Sequence, residues 1–198
     1  AGALGARLVC ADLDGDTAEE TAASVRSAGG EAVARRTDVT DLADMRALAQ
    51  LALETFGAID VMVNNAGTMP LAFFADQQAA AEAWHRCIDV NFKGVLHGIM
   101  AVHDQLIAQG RGHVVNLSSI YGNFPVAGAG VYGATKAAVN FLSDSLRAES
   151  QGRIKVTTVR PTGVPATGLS GGVINAEAVV GILGQNVFTF GERMEAYV

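Results

Sequence analysis

Residues 59–67 read Ile59-Asp60-Val61-Met62-Val63-Asn64-Asn65-Ala66-Gly67. A short β-branched run that stops at two asparagines and a glycine has the pattern of a buried strand with small polar residues at its exit. We predict a strand over 59–63. The same pattern recurs on either side. Upstream, residues 7–11 (RLVCA) form an apolar run ending in Asp12, and 31–36 form another followed by Thr37-Asp38-Val39-Thr40. Downstream, 113–117 leads into Ser118-Ser119, and 154–159 ends at Pro161. Amphipathic stretches lie between these strands. One spans 17–28, with Asp16 as its N-cap and Gly29-Gly30 as its stop. A second, capped by Asp41, runs to Phe56 and keeps Leu42, Met45, Leu48, Ala49 and Ala52 at helical spacing. A long helical region is predicted over about 78–109, and another helix over 132–150. Strands alternating with helices predict an α/β protein with a doubly wound parallel sheet in three layers, α/β/α. Beyond Pro161, residues 162–172 read as a loop and 176–183 as a short helix, and the tail to Val198 carries no clear element. No internal repeat or composition shift divides the 198 residues, so a single domain over 1–198 is expected.

Composition narrows the function. Hydrophobic residues make up 49% and charged residues 17%, which suits a packed globular protein and argues against disorder. The net charge is −6 and the basic residues are scattered, so nucleic acid is not an expected partner. No window approaches the roughly 18 unbroken apolar residues of a membrane helix. The opening residues lack the basic start and apolar segment of a leader, so a soluble, cytoplasmic protein is expected. Cys10 and Cys87 each sit among apolar neighbours and read as buried free thiols of a reduced compartment. Neither they nor the four histidines have metal-ligand spacing, and no metal is expected. His85 and Arg86 read as surface residues.

Chemistry-bearing residues collect at strand exits, where open α/β sheets bind ligands. Asp12 ends the first strand, and a carboxylate there accepts hydrogen bonds from ribose hydroxyls and repels the extra phosphate of NADP. A turn aspartate or helix cap is the other reading, with Asp14 and Asp16 close by. In Asn64-Asn65-Ala66-Gly67 the small residues allow a cofactor near the backbone, and asparagine amides can tie adjacent strands. An ordinary polar turn is the plainer alternative. Tyr132 and Lys136 lie four apart at the start of a helix and so share a face. An ammonium beside a phenol favours phenolate, which is expected to lower the tyrosine pKa from its usual value of about 10. Such a tyrosine gives a proton to a carbonyl oxygen or takes one from an alcohol. Ser119 could hold the same oxygen. The competing reading is a surface lysine and a half-buried tyrosine on an amphipathic helix.

Taken together these residues resemble the short-chain dehydrogenase/reductase family, in its compact single-domain branch. The resemblance runs from Leu4 to about Thr167, through Asp38-Val39, NNAG at 64–67, VNFKG at 90–94, VNLSS at 115–119, YGATK at 132–136 and Pro161. It implies a Rossmann-type oxidoreductase moving a hydride between NAD, rather than NADP, and an alcohol or carbonyl substrate. Tyr132 resembles the general acid/base, Lys136 the residue that also holds the nicotinamide ribose, and Ser119 the substrate-oxygen anchor. Ser118 takes a structural place. Asn91 resembles the helix asparagine that supports a water-linked proton path to the lysine. On the cofactor side the resemblance assigns Asp12 to selecting NAD and Asp38 and Val39 to adenine. It assigns Asn65 and Gly67 to the central stretch, and Val164 to the carboxamide. Tyr121, Phe124 and Leu169 fall in the substrate loops and imply an apolar pocket. The helical regions 78–109 and 132–150 would form the interface of a homotetramer or homodimer.

The pattern also departs from the family. The glycine-rich loop TGxxxGxG is absent, and Gly5-Ala6 matches the turn before the family's second strand. The resemblance then implies that the first strand, its phosphate loop and most of the first helix lie upstream of Ala1. The family's last strand is likewise not recognisable after Thr167, so both ends read as cut. The strands at 7–11 and 59–63 would be left with edges that pair through a missing neighbour. The Pro-Gly element reads Pro161-Thr162-Gly163. Two further readings stand beside the oxidoreductase. One is a noncatalytic nucleotide-binding or scaffold relative, inactive without the phosphate loop. The other is an epimerase or dehydratase with bound NAD, for which the substrate region is too short.

Overall fold

A computed structural model describes residues 2–162 and 168–179 of the chain. Contacts divide it into two compact units. One comprises Ala1–Ala66, Lys93–Asn116 and Leu142–Thr157, the other Gly67–Phe92, Leu117–Phe141 and Thr158–Val198.

The first unit opens with a parallel β-α-β element. Strand β1 (Arg7–Asp12) pairs with β2 (Glu31–Arg36), from Arg7 opposite Glu31 to Asp12 opposite Arg36. Helix α1 (Gly15–Ser27) crosses over between them and buries Ala18 and Ala22. Its N-cap is Asp14, whose Oδ1 accepts the amides of Asp16 at 2.9 Å and Thr17 at 3.4 Å. This corrects the sequence expectation of Asp16. Because β1 runs through Asp12, the turn falls at Leu13 and Asp14, and Asp14 has the extended backbone that a cap requires. Asp16 instead lies in the first turn, where its charge still complements the helix dipole. Helix α2 (Leu42–Phe56) is capped by Asp41 as expected, with Oδ1 2.7 Å from the Ala43 amide, and it buries Met45 and Ala49.

A second parallel sheet has the order β3-β4-β5, from β3 (Val61–Asn64), β4 (His113–Leu117) and β5 (Lys155–Val159). The strand predicted from 59 begins at Val61. Ile59 is buried outside the strand, its backbone held by the Gln109 side chain through bonds of 3.3 and 2.7 Å. Among the described residues the β1-β2 and β3-β4-β5 sheets are separate, and β1 and β3 each have one hydrogen-bonded neighbour. Val61 and Val63 are each 54% exposed along β3.

The expectation that an asparagine amide ties neighbouring strands holds at Asn64. Its Nδ2 donates to Asn116 Oδ1 at 2.8 Å, directly across the β3-β4 register. Asn116 Nδ2 then donates to Ser143 Oγ at 2.9 Å. All three are buried, and a satisfied buried polar network of this kind strongly specifies register. It depends on Gly98, since a Cβ there would lie 1.9 Å from Asn64 Oδ1.

Residues 78–109 are helical throughout but not one α-helix. Helix α3 (Gln77–Ile88) passes through a π-turn at Asp89–Lys93 into α4 (Gly94–Gln109). Such insertions occur often at functional sites. Helix α5 spans Gly130–Ser150, beginning two residues before the predicted start.

In the second unit an apolar cluster forms around Leu71, Val126, Ala129 and Ala178, with Tyr121, Phe124 and Val173 packed against it. Leu71 bridges Val173, and Asp76 Oδ2 accepts both the Phe73 amide and Asn175 Nδ2 at 2.9 Å. Leu169 lies in the 3₁₀ turn Gly168–Gly172. Residues 176–179 are helical; the rest of the helix expected over 176–183 lies outside the described residues. Among the described residues no helix is long and apolar enough to cross a membrane.

Candidate active site

Strand β4 ends at Leu117, and the next two residues, Ser118 and Ser119, are buried at its exit. The backbone of this exit is held by β5 and the residues after it: the Ser118 amide bonds the Val159 carbonyl at 2.8 Å, and the Ile120 amide the Pro161 carbonyl at 3.2 Å. The 3₁₀ turn Ile120–Gly122 then lies against the start of α5. This close approach requires glycine at 133, where a Cβ would stand 2.8 Å from the Tyr121 carbonyl oxygen.

That approach brings Ser119, Tyr132 and Lys136 together, all three about 5% exposed or less. Lys136 Nζ lies 5.7 Å from the centre of the Tyr132 ring and donates to the Leu117 carbonyl at 2.7 Å. Ser118 Oγ donates to the Lys136 carbonyl at 3.0 Å. The lysine is thus tied to the β4 exit at both ends, which agrees with a structural place for Ser118. Ser119 Oγ accepts the Tyr121 amide at 3.2 Å. Tyr121 meets the Tyr132 ring edge-on at 6.5 Å and Phe124 at 6.2 Å, which joins the tyrosine to the apolar cluster.

Burial controls the proton affinities here. It raises the Tyr132 phenol above its ordinary value; a hydrogen bond to Ser119 pulls the other way, and Cys87 and Tyr121 add to the rise. This corrects the expectation of a phenol lowered by Lys136. Spacing along a helix registers the ammonium but not the desolvation that outweighs it. Burial also lowers Lys136 to about 8, opposed by Cys87.

Asn91 is fully buried at the centre of the π-turn. Its Oδ1 accepts the Thr68 amide at 2.8 Å and its Nδ2 donates to the Thr68 carbonyl at 2.9 Å, so the side chain pairs with the backbone of that residue much as a strand would. The same Nδ2 lies 3.2 Å from Thr135 Oγ1 and 3.3 Å from Cys87 Sγ. Cys87 is fully buried, and burial pushes its thiol up. Sequence reasoning passed over Thr68 and Thr135 and treated Cys87 as an isolated thiol. The available signals were the i, i+4 spacing of Cys87 and Asn91 and the place of Thr135 inside YGATK.

The residues expected on the cofactor side take varied positions. Asp12 is exposed at the C-terminal end of β1, with Oδ1 accepting the Asp14 amide at 2.9 Å. Asp38 Oδ1 accepts the Thr40 amide and hydroxyl at 2.9 and 2.7 Å and so shapes its own turn. The Val39 carbonyl lies 3.0 Å from His97 Nδ1, and its side chain packs where a Cβ on Gly94 would fall. Asn65 is exposed just past β3, and Gly67 is half-buried. Val164 lies outside the described residues.

The sequence profile described as short chain dehydrogenase matches residues 1–177. This chain belongs to that family. Among similar proteins, an uncharacterised oxidoreductase of Listeria innocua is 38% identical over 163 residues, covering 81% of this chain and 65% of that protein. The 2,5-dichloro-2,5-cyclohexadiene-1,4-diol dehydrogenase of Sphingobium indicum is 36% identical over 161 residues, covering 81% and 64%. The chain therefore spans about two thirds of the length of these curated relatives. In structure it is similar to a short-chain dehydrogenase/reductase of Burkholderia phymatum in complex with NAD. That likeness has a TM-score of 0.82 and 30% identity, over 96% of this chain and 73% of the other. It also resembles a gluconate 5-dehydrogenase of Burkholderia cenocepacia in complex with NADP and tartrate. Here the TM-score is 0.75 and the identity 30%, covering 81% and 63%. The fold is the family's Rossmann-type α/β arrangement with parallel sheets.

Proposed function

We propose that this chain carries the catalytic residues of an NAD-linked alcohol dehydrogenase or ketoreductase, with Tyr132 as general acid/base. The observation that carries the reading is the burial of Ser119, Tyr132 and Lys136 together at the exit of β4. A noncatalytic relative has no need to bury a lysine at this cost, and the geometry does not favour that reading.

The residues suit a nicotinamide dinucleotide. An ammonium has three N–H donors, and the Leu117 carbonyl takes one at Lys136, which leaves donors for ribose hydroxyls. The exposed Asp12 carboxylate is an acceptor for a ribose diol and repels a 2′-phosphate, which supports NAD over NADP. Asp38, Val39, Asn65, Gly67 and Val164 take the further cofactor contacts on the strength of the family resemblance. When bound, the dinucleotide supplies or accepts the hydride. Ser119 orients the substrate oxygen and Tyr132 moves its proton. Burial keeps the phenol protonated near neutral pH and so loaded to donate to a carbonyl oxygen. Asn91 anchors the Thr68 backbone and sits on the path by which the lysine's proton is replenished. Tyr121 and Phe124 favour an apolar substrate. Phe141 on α5 and Met100 on α4, 77% and 46% exposed, are side chains that assembly as a homodimer or homotetramer would cover. Two free thiols suit the cytoplasm.

The test is a fluorescence titration with NADH and with NADPH, joined to turnover of a secondary-alcohol panel by the wild type and Tyr132→Phe. Preference for NADH with collapsed turnover in the variant supports the reading. Unchanged turnover in Tyr132→Phe removes the acid/base assignment.

A further inference from the structure

The start of α5 presents a mechanical problem. The phenol of Tyr132 must be held against a substrate oxygen to a fraction of an ångström. Yet the turn that carries it reads Gly130-Val131-Tyr132-Gly133-Ala134, with two glycines that each weaken a helix by about 1 kcal/mol relative to alanine. Gly133 cannot be replaced without striking the Tyr121 carbonyl, so this softness is the consequence of bringing the 3₁₀ turn close to the helix. Something outside the helix ladder has to fix the turn.

The buried hydroxyl of Thr135 is placed to do so. Its Oγ1 donates to the Tyr132 carbonyl at 2.7 Å. That is the carbonyl the helix ladder pairs with the Lys136 amide. With its proton committed, Oγ1 offers a lone pair to Asn91 Nδ2 at 3.2 Å. Asn91 is in turn locked to the Thr68 backbone N–H and C=O through both ends of its amide. A chain of matched donors and acceptors thus runs from the Thr68 backbone through Asn91 and Thr135 to the Tyr132 carbonyl.

We propose that Thr135 is a positioning residue for Tyr132 and Lys136, its hydroxyl tethering the glycine-weakened first turn of α5 to Asn91. This rests on the reading of Tyr132 as acid/base for its consequence in catalysis, though not for the tether itself. A threonine that bonds back to its own helix ordinarily loosens and bends it. Here the same bond is made rigid by the second partner.

The experiment compares wild type, Thr135→Val, which is isosteric but lacks the hydroxyl, and Thr135→Ser, which retains it. Amide hydrogen exchange and turnover of cyclohexanol with NAD are followed in each. In Thr135→Val the amides of residues 133–136 are expected to exchange at least about tenfold faster while those of 140–150 keep their protection. Turnover should fall about tenfold or more and KM for NAD should rise, since misplacement by an ångström is costly and Lys136 would also hold the nicotinamide ribose. Thr135→Ser should restore both. Wild-type exchange in Thr135→Val, a loss spread evenly along α5, or a serine variant as impaired as the valine overturns the proposal. Tyr132→Phe separates the two ideas. If it keeps turnover, the acid/base reading fails while the exchange data still decide the tether; if it loses turnover and Thr135→Val does not, only the positioning role fails.

Discussion

Lys136 Nζ lies 2.7 Å from the carbonyl oxygen of Leu117, the last residue of β4. Among the described residues a cation is thus held at the strand exit by a neutral acceptor and not by a carboxylate. One hydrogen bond does not offset the desolvation, and the lysine falls from 10.5 to about 8. The unfolded chain therefore binds an extra proton between about pH 8 and 10.5, and the cost of the buried charge, present in full below 8, is relieved as pH rises through that window. Stability should climb there by at most on the order of 1 kcal/mol per pH unit. Lys136→Met is expected to be as stable as the wild type or more so near neutrality. Its advantage should shrink on going to about pH 10 in urea titrations, while turnover is lost.

Gly98→Ala should be strongly destabilising for a helix position where alanine is ordinarily preferred. The added methyl would occupy the place of Asn64 Oδ1 and break the Asn64–Asn116 bond. A loss of about 2 kcal/mol or more is expected from overpacking and an orphaned amide. In the double variant with Asn64→Ala the penalty should be less than additive, as read from denaturation midpoints.

Asn91→Asp should be as damaging as Asn91→Ala despite its similar shape. It keeps an acceptor for the Thr68 amide but loses the donor to the Thr68 carbonyl and to Thr135 Oγ1. It also sets a buried carboxylate against a carbonyl. Both variants should lose about 2–3 kcal/mol by thermal or urea unfolding.

Asp12→Ser should leave the fold intact, because the side chain is exposed and its bond to the Asp14 amide can be remade by a hydroxyl. On the NAD-selector reading, the NADPH/NADH affinity ratio should rise about tenfold once the carboxylate is gone. An unchanged ratio would leave Asp12 as a turn residue.

Cys87 should resist thiol reagents in the native protein, being fully buried with its thiol pushed up by desolvation. Labelling by a chromogenic disulfide should reach Cys87 only on unfolding.

Most elements were legible because they rest on local periodicity. The runs at 31–36 and 113–117 carry their strand pattern within themselves, and Asp41 lies where an amphipathic run begins. The cap at Asp14 was not legible, because Asp12, Asp14 and Asp16 are chemically equivalent and only the end of β1 chooses among them. The π-turn at Asp89–Lys93 was hidden for a related reason. Its central residue, Asn91, is held by Thr68, a residue 23 positions away that no local window contains.

The sequence by itself determined the α/β class and the family, and through that resemblance it nominated Ser119, Tyr132, Lys136 and Asn91, because motif spacing and residue type are enough to carry a family pattern. Only the tertiary structure decided how those groups are held and how tightly they keep their protons. Burial of Tyr132 and Lys136, the bond to the Leu117 carbonyl and the Thr135 bond to the Tyr132 carbonyl all arise from packing β4, its following turn and α5 against one another. Desolvation depends on what surrounds a group in space, and that is set by contacts between residues distant in the chain.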